Sequence, residues 1–375
     1  MFKNKKEIYY VVLITILFIV LAEIFCRIVF YSIEGNKAFA VVGAAEKIKK
    51  KIYPTTISQI NKSSQVTRYI RLKEYSPELI SHWRPTFNQL EMSDGYLKDQ
   101  NYSLRVDSNG FIEPSGLHDN PDLKIVFLGG STTECFFIDE NRRFPFLVGQ
   151  IIEDKLRIPV NTYNAGVSGN NSMHSFNIFV NKVIPINPDM VVIMHNINDL
   201  SVLYNEGSYW NDNPTRSMII DSRNLRKLDS NDEFAGGQVL NKEILKIKKD
   251  ILRNFHNSLD SFVKVAKIWG IQPVLMTQAN RIKKEPESVV LKYILKKLEN
   301  SNNKYNDFYQ LYYEMNNIIR EVAENNKIKL IDLDRKGLNS KEFIYDSVHF
   351  NEKGSVAVAG IISEELIKII NKNDE

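Results

Sequence analysis

Cysteine is scarce in this sequence, and neither sign of charge dominates it. Only two cysteines, Cys26 and Cys135, occur among 375 residues, which excludes a disulfide framework and a zinc site built from cysteines. The net charge of +4 comes from mixed basic and acidic residues, so no basic stripe is available and nucleic acid is not expected as a partner. Because 43% of the residues are hydrophobic, the chain can form one large folded domain with an appendage.

A single long apolar run lies near the N-terminus. Residues 9–31 are apolar apart from Thr15, Glu23 and Arg27, and a helix of this length spans the roughly 30 Å of a bilayer's hydrocarbon core. Three lysines occur in the eight residues before the run, against one in the fourteen residues after it. This bias predicts a membrane anchor with a cytoplasmic N-terminus and a periplasmic or extracellular body. A cleaved signal peptide is the alternative, but the run is long and no clear small-x-small cleavage site follows it.

The composition divides the remaining chain into segments. Residues 1–8 form the predicted cytoplasmic tail, and 9–31 form the anchor. Residues 32–121 mix turn-forming residues with short apolar runs, including a strand pattern at 102–106 and a turn signal at 107–110. They predict a juxtamembrane stalk and a small β-rich lead-in. Residues 122–375 form the predicted catalytic domain.

In that domain, short apolar runs alternate with helical patterns. The runs cover residues 125–128, 160–163, 190–194, 273–276 and 328–331, and the main helical patterns cover 144–156, 240–269 and 305–325. Strands that alternate with crossover helices predict an α/β fold with a parallel, doubly wound sheet. Ligands of such sheets bind at the carboxyl ends of the strands. Residues 204–237 are too long and polar for a simple connection, and they predict a loop or cap over that edge.

The first predicted strand runs into Gly129-Gly130-Ser131-Thr132-Thr133. A serine at a turn from strand to helix can expose its hydroxyl and direct its N–H toward an anion, as a nucleophile requires. The segment lacks the Gly-Lys-Ser/Thr of a phosphate loop and the third glycine of a dinucleotide fingerprint. It also differs from the Gly-x-Ser-x-Gly elbow, since Thr133 holds the last position. Taken alone, it is equally a turn with a helix N-cap.

Three other segments carry groups that a serine enzyme needs. Asp346 and His349 are three residues apart, so the carboxylate can hold the imidazole Nδ1 proton and leave Nε2 as the base. The backbone N–H of Gly169 and the side-chain amide of Asn198 can stabilise an oxyanion. Each segment also has a structural interpretation: Asp346 as the cap of the last helix, Gly169 as a turn glycine and Asn198 as a loop cap.

The order of these segments along residues 124–370 resembles that of the SGNH (GDSL-type) hydrolase superfamily. The order is the Gly-x-Ser segment, Gly169, the Asn-Asp pair and the Asp-x-x-His segment. The resemblance implies a three-layer, flavodoxin-like fold with a five-stranded parallel sheet. It also implies esterase or acyl-transfer activity that needs neither a metal nor another cofactor. The roles that it implies are Ser131 as nucleophile and oxyanion donor, Gly169 and Asn198 as further donors, and Asp346 with His349 as the catalytic pair.

The sequence departs from the family pattern at three positions. Gly130 replaces the aspartate of Gly-Asp-Ser, Asn196 replaces the glycine of Gly-x-Asn-Asp, and Phe350 replaces the proline that often follows the histidine. Gly130 and Asn196 are expected to alter the rim of the site, and so its substrate.

The anchor and the lead-in resemble a bacterial subgroup found near cell-surface glycan assembly. This implies a serine esterase that removes O-acetyl groups from a glycan through an acyl-enzyme. An O-acyltransferase and a catalytically idle glycan-binding scaffold are the alternatives. His174, His195 and Cys135 have structural interpretations, the histidines as hydrogen-bonding groups and the cysteine as a small buried hydrophobe.

Overall fold

A computed structural model of the chain describes residues 21–22, 68–213, 215–221, 244–298 and 305–373. Arg68–Glu375 form one compact unit. None of the helices in the described ranges is both long and apolar enough to cross a membrane. Except for residues 21 and 22, the predicted anchor at 9–31 lies outside those ranges, as does the stalk up to residue 67, so both stay predictions.

The strands and helices follow each other along the chain. The strands are β1 Arg68–Ile70, β2 Ile80–Trp83, β3 Tyr102–Arg105, β4 Leu123–Gly129, β5 Val160–Gly166, β6 Met190–Met194, β7 Ile219–Asp221, β8 Gln272–Met276 and β9 Lys329–Ile331. The α-helices are α1 Phe87–Ser93, α2 Ser131–Glu134, α3 Phe144–Leu156, α4 Ser172–Ile178, α5 Ile197–Glu206, α6 Ile244–Ile268, α7 Ser288–Leu298, α8 Tyr305–Asn325 and α9 Glu352–Asn373.

Five strands form the central sheet, in the order β5-β4-β6-β8-β9. Every neighbouring pair is parallel, which confirms the predicted doubly wound sheet. In the register, Gly129 of β4 lies beside Gly166 of β5 and Met194 of β6, and Met194 lies beside Met276 of β8. The strands therefore end together, and the segments that follow them meet at one edge.

The sheet separates two hydrophobic cores. In β4, Val126 and Leu128 pack on one face, whereas Ile125 and Phe127 pack on the other, because successive strand side chains point to opposite sides. Helices α4 to α8 cover the first face, and α3 and α9 cover the second. This gives the three layers that the family resemblance implies.

Most predicted elements of the domain are confirmed. The predicted bounds match the structure at both ends for α3, α8 and β6. The lead-in contains the helix α1 besides the strands β1, β2 and β3. Its strand β1 pairs with β7 of the domain, whereas β2 and β3 pair with each other. Of the predicted cap at 204–237, residue 214 and residues 222–237 lie outside the described ranges.

Candidate active site

Ser131 opens the short helix α2 directly after β4. Its backbone N–H has no acceptor within the helix, because the first N–H groups of a helix point away from it. The Oγ atom of Ser131 lies 2.6 Å from Nε2 of His349, a residue 218 positions later in the chain. The fold therefore brings together the predicted nucleophile and the predicted base.

Asp346 and His349 lie on a tight turn. Oδ2 of Asp346 is 2.7 Å from Nδ1 of His349, and Oδ1 accepts the N–H groups of Val348 and His349. The ring of Tyr345 stacks on the imidazole at 5.6 Å between centroids. Asp346 does not cap the last helix, since Asn351 accepts the Gly354 N–H at the start of α9.

The carboxylate of Asp346 orients the imidazole. Burial alone raises the pKa of this carboxyl, but the charge of His349 and the hydrogen bonds from His349 and Val348 lower it to about 2. The ionised carboxylate holds Nδ1 of the ring, so the other ring nitrogen, Nε2, faces Oγ of Ser131.

Asn198, one of the two predicted oxyanion donors, lies beside Gly130 in the nucleophile turn. Nδ2 of Asn198 donates to the carbonyl of Asn170 at 2.8 Å, and its second hydrogen remains for a ligand. A Cβ added to Gly130 would lie only 2.3 Å from that nitrogen, so a side chain there would displace the amide. Gly169 is exposed with φ +75°, a conformation that favours glycine.

We therefore expect Gly130→Ala to lower kcat for an ester about 100- to 1000-fold, the usual cost of removing one oxyanion donor. The substrate's KM and the melting temperature should change little, because the added methyl meets a movable amide. Asn198→Ala should cause a similar loss. If both changes act on the same donor, the double variant is no slower than the worse single variant; losses that multiply would contradict this explanation.

Gln278 connects the nucleophile turn to the segment of Asn198. It lies two residues after β8, donates to Oγ1 of Thr132 at 2.9 Å and accepts the N–H of Ile197 at 3.0 Å. No sequence pattern predicted this residue. Its position just beyond the end of a sheet strand is the signal that would have found it.

Arg281 holds the turn that carries the catalytic pair. Its side chain is fully buried, donates to the carbonyl oxygens of Ile344 and Tyr345, and pairs with Glu287. It also donates to the carbonyl of Met92 in α1, which ties the lead-in to this turn. No local pattern marks this residue, because all its partners except Glu287 are distant in sequence.

The burial of three other side chains bears on predictions made from the sequence. Cys135 is buried in the core of the second sheet face, and burial raises the pKa of its thiol to about 12. Phe350 packs in the same core. Asn196 was expected on the rim, which is wrong: it is 1% exposed and its amide donates to Tyr312 and Asn316 of α8.

His174 and His195 are both buried and hydrogen-bonded, as expected. His195 contacts Oγ of Ser175 at 2.7 Å and lies 3.6 Å from Asp199, so it does not line the site. His174 accepts the N–H of Asn171 and contacts the carbonyl of Ser217. Burial, followed by the charge of Lys73, lowers the pKa of His174 to about 3.

The His174 imidazole should make the fold sensitive to acid. Its pKa is about 3 in the folded protein and about 6.5 in an unfolded chain, so below pH 6.5 only the unfolded state gains the proton. Between pH 6.5 and 5, this contributes a loss of about 2 kcal/mol from the free energy of unfolding. His174→Gln should reduce the measured loss by that amount. Exposed His82→Gln should leave it unchanged, and equal pH dependence in wild type and His174→Gln would contradict the assignment.

Comparisons with known proteins found one family model and several solved structures. The family model of the GDSL-like lipase/acylhydrolase family matches residues 127–357. No curated protein gives a significant match. A lipase/acylhydrolase from Enterococcus faecalis is 18% identical, with 65% of this chain and 95% of that chain covered at a TM-score of 0.41. An acetylxylan esterase from Geobacillus stearothermophilus is 18% identical, with 66% and 94% covered at 0.41. A GDSL-like lipase from Bacteroides thetaiotaomicron is 18% identical, with 67% and 88% covered at 0.39.

Proposed function

The chain belongs to the GDSL-like lipase/acylhydrolase family and is an ester hydrolase of the SGNH type, and from this premise we propose that it removes O-acyl groups from a glycan through an acyl-enzyme on Ser131. The hydrogen-bonded series Ser131, His349 and Asp346 is the observation that carries the mechanism. The proposal that the substrate is a glycan is supported by the sequence resemblance to the anchored bacterial subgroup, which is often found near cell-surface glycan assembly.

In the first half-reaction, Nε2 of His349 takes the hydroxyl proton of Ser131, and Oγ attacks the ester carbonyl carbon. The resulting oxyanion is held by the N–H groups of Ser131 and Gly169 and by Nδ2 of Asn198. His349 then protonates the leaving alcohol, which departs as a free hydroxyl of the glycan. Asp346 stays ionised throughout and stabilises the imidazolium.

In the second half-reaction, water attacks the acyl-enzyme with His349 again as base, and the acid is released. The His349 side chain is 20% exposed, and Gly169 is exposed. These two groups are open to solvent in the described part of the chain, and we propose water as the acceptor of the acyl group.

Turnover of p-nitrophenyl acetate by the full-length protein in detergent micelles, compared with the Ser131→Ala and His349→Ala variants, tests the mechanism. Acetate release from an O-acetylated polysaccharide then tests the substrate class. An esterase gives free acetate in equal yield with or without added sugar acceptor. Acetylated acceptor in place of acetate indicates the acyltransferase. A folded protein that turns over neither ester and is not labelled by a fluorophosphonate indicates the idle scaffold.

We also propose that residues 9–31 anchor the protein in the membrane with the catalytic domain outside the cytoplasm. The apolar length of the segment and its preceding lysines support this. Protease treatment of intact spheroplasts should degrade the domain and leave a cytoplasmic control protein intact. Protection of the domain until the membrane is dissolved would contradict the proposed orientation.

A further inference from the structure

A lysine from the lead-in lies beside the proposed oxyanion donor Gly169. A Cβ added to Gly169 would be 2.8 Å from Nζ of Lys73, so the ammonium occupies the space where most residues have a side chain. Lys73 is half-buried, whereas Gly169 is exposed. The ammonium therefore lies beside the residue whose N–H is proposed to hold the oxyanion.

Contacts with the domain fix Lys73 in this place. Its carbonyl accepts Nδ2 of Asn170 at 2.9 Å, and the carbonyl of Asn170 in turn accepts Nδ2 of Asn198. Two residues on, the hydroxyl of Tyr75 donates to the buried Glu134 at 2.9 Å. The backbone of Lys73 is therefore connected to both proposed donors through one asparagine.

Burial and nearby charges act on the pKa of Lys73. Burial first, and then the charges of Arg71 and Arg216, lower this pKa to about 8, and among the described residues the charge of Glu134 opposes them. Burial raises the pKa of Glu134, which weakens its value as a counter-charge. Among the described residues, no hydrogen bond or ion pair involves the Lys73 ammonium, although it is the charged group nearest to Gly169.

We propose that Lys73 binds an anionic group of the substrate, a carboxylate or a phosphate, next to the ester that Ser131 attacks. This inference rests on the proposed esterase function, because it takes that ester as its reference point. A half-buried ammonium gains a charge-assisted hydrogen bond from such a group, and a neutral substrate gives it none. The proposed substrate class is therefore an acylated acidic molecule, such as a glycan with acidic sugars.

Two matched pairs of esters test the proposal on the full-length protein in detergent micelles. In the first pair, p-nitrophenyl hemisuccinate carries a negative charge on the acyl side, and p-nitrophenyl butyrate is its neutral counterpart. In the second pair, 4-acetoxybenzoate carries the charge on the alcohol side, and its methyl ester is neutral. Each is measured with wild type, Lys73→Met, Lys73→Arg and, as a matched control, Lys155→Met at an exposed position of α3.

For the anionic member of at least one pair, Lys73→Met should raise KM about 10- to 100-fold relative to the neutral member, as expected for loss of a hydrogen bond to a charged group. Lys73→Arg should restore part of this preference, and Lys155→Met should not alter it. The pair that responds shows which side of the ester carries the anion. Equal losses for anionic and neutral esters, or no change in either pair, would overturn the proposal.

A binding measurement separates failure of this inference from failure of the proposed function. In calorimetry, the Ser131→Ala variant should bind the anionic ester of the responding pair without cleaving it. If the wild type turns over no ester, both anionic esters are tested in this way. Adding Lys73→Met should weaken that binding about 10- to 100-fold. Equal binding with and without Lys73, or no binding of either anionic ester, overturns the inference. If the wild type turns over no ester but binding still depends on Lys73, only the proposed esterase function is overturned.

Discussion

Replacing Ser131 by alanine is expected to lower kcat for p-nitrophenyl acetate by about 10⁴- to 10⁶-fold, the range seen when a serine nucleophile is removed from a working triad. The reason is that Oγ lies 2.6 Å from the base, and without Oγ no covalent intermediate forms. His349→Ala should lower kcat by about the same factor. Since the two residues act as a unit, the double variant should be hardly slower than either single variant.

The control for this prediction is Cys135→Ala. The thiol lies four residues after Ser131, is buried and has its pKa raised to about 12, so it cannot serve as the nucleophile. This variant should keep turnover within a few-fold of wild type and lose only some thermal stability. Turnover that survives in Ser131→Ala but vanishes in Cys135→Ala would reverse the assignment.

The second large effect is expected from Asp346→Asn, which should lower kcat about 10⁴-fold at neutral pH, as in a triad whose aspartate is amidated. The turn donates two backbone N–H groups to Oδ1, so the amide oxygen of the asparagine should keep that position. Its NH2 group then faces Nδ1 of His349 and forces the proton onto Nε2. In that tautomer the imidazole cannot accept the proton of Ser131.

The measurement is the pH dependence of kcat for wild type and Asp346→Asn, with Asp334→Asn as the matched control. Asp334 is ion-paired with Arg320 just after β9, and it takes no part in the proposed chemistry. Its replacement should lower the melting temperature without a 10⁴-fold change in kcat. A kcat of Asp346→Asn within tenfold of wild type would mean that the carboxylate only stabilises the turn.

The central sheet was predictable from the sequence because its strands are buried on both faces. Such strands are continuous apolar runs, as in Met190–Met194, and turn residues bound them. The candidate site followed from the same pattern, because parallel strands end at one edge. Ser131 and Asn198 follow two neighbouring strands there.

Several other contacts over long sequence distances were not predictable. Arg281 reaches the catalytic turn and α1, Lys73 reaches Gly169, and Asn196 turns toward α8. Each depends on how layers pack, which local patterns do not specify. The helix α1 in the lead-in was also not predicted, although a capping box between Thr86 and Gln89 starts it.

Mass spectrometry of the protein after reaction with a fluorophosphonate tests most directly whether Ser131 is the nucleophile. We expect one adduct per chain, located by peptide mapping on Ser131, absent from Ser131→Ala and much slower to form in His349→Ala. An adduct on another residue, or turnover of esters by a protein whose Ser131 stays unmodified, would contradict it.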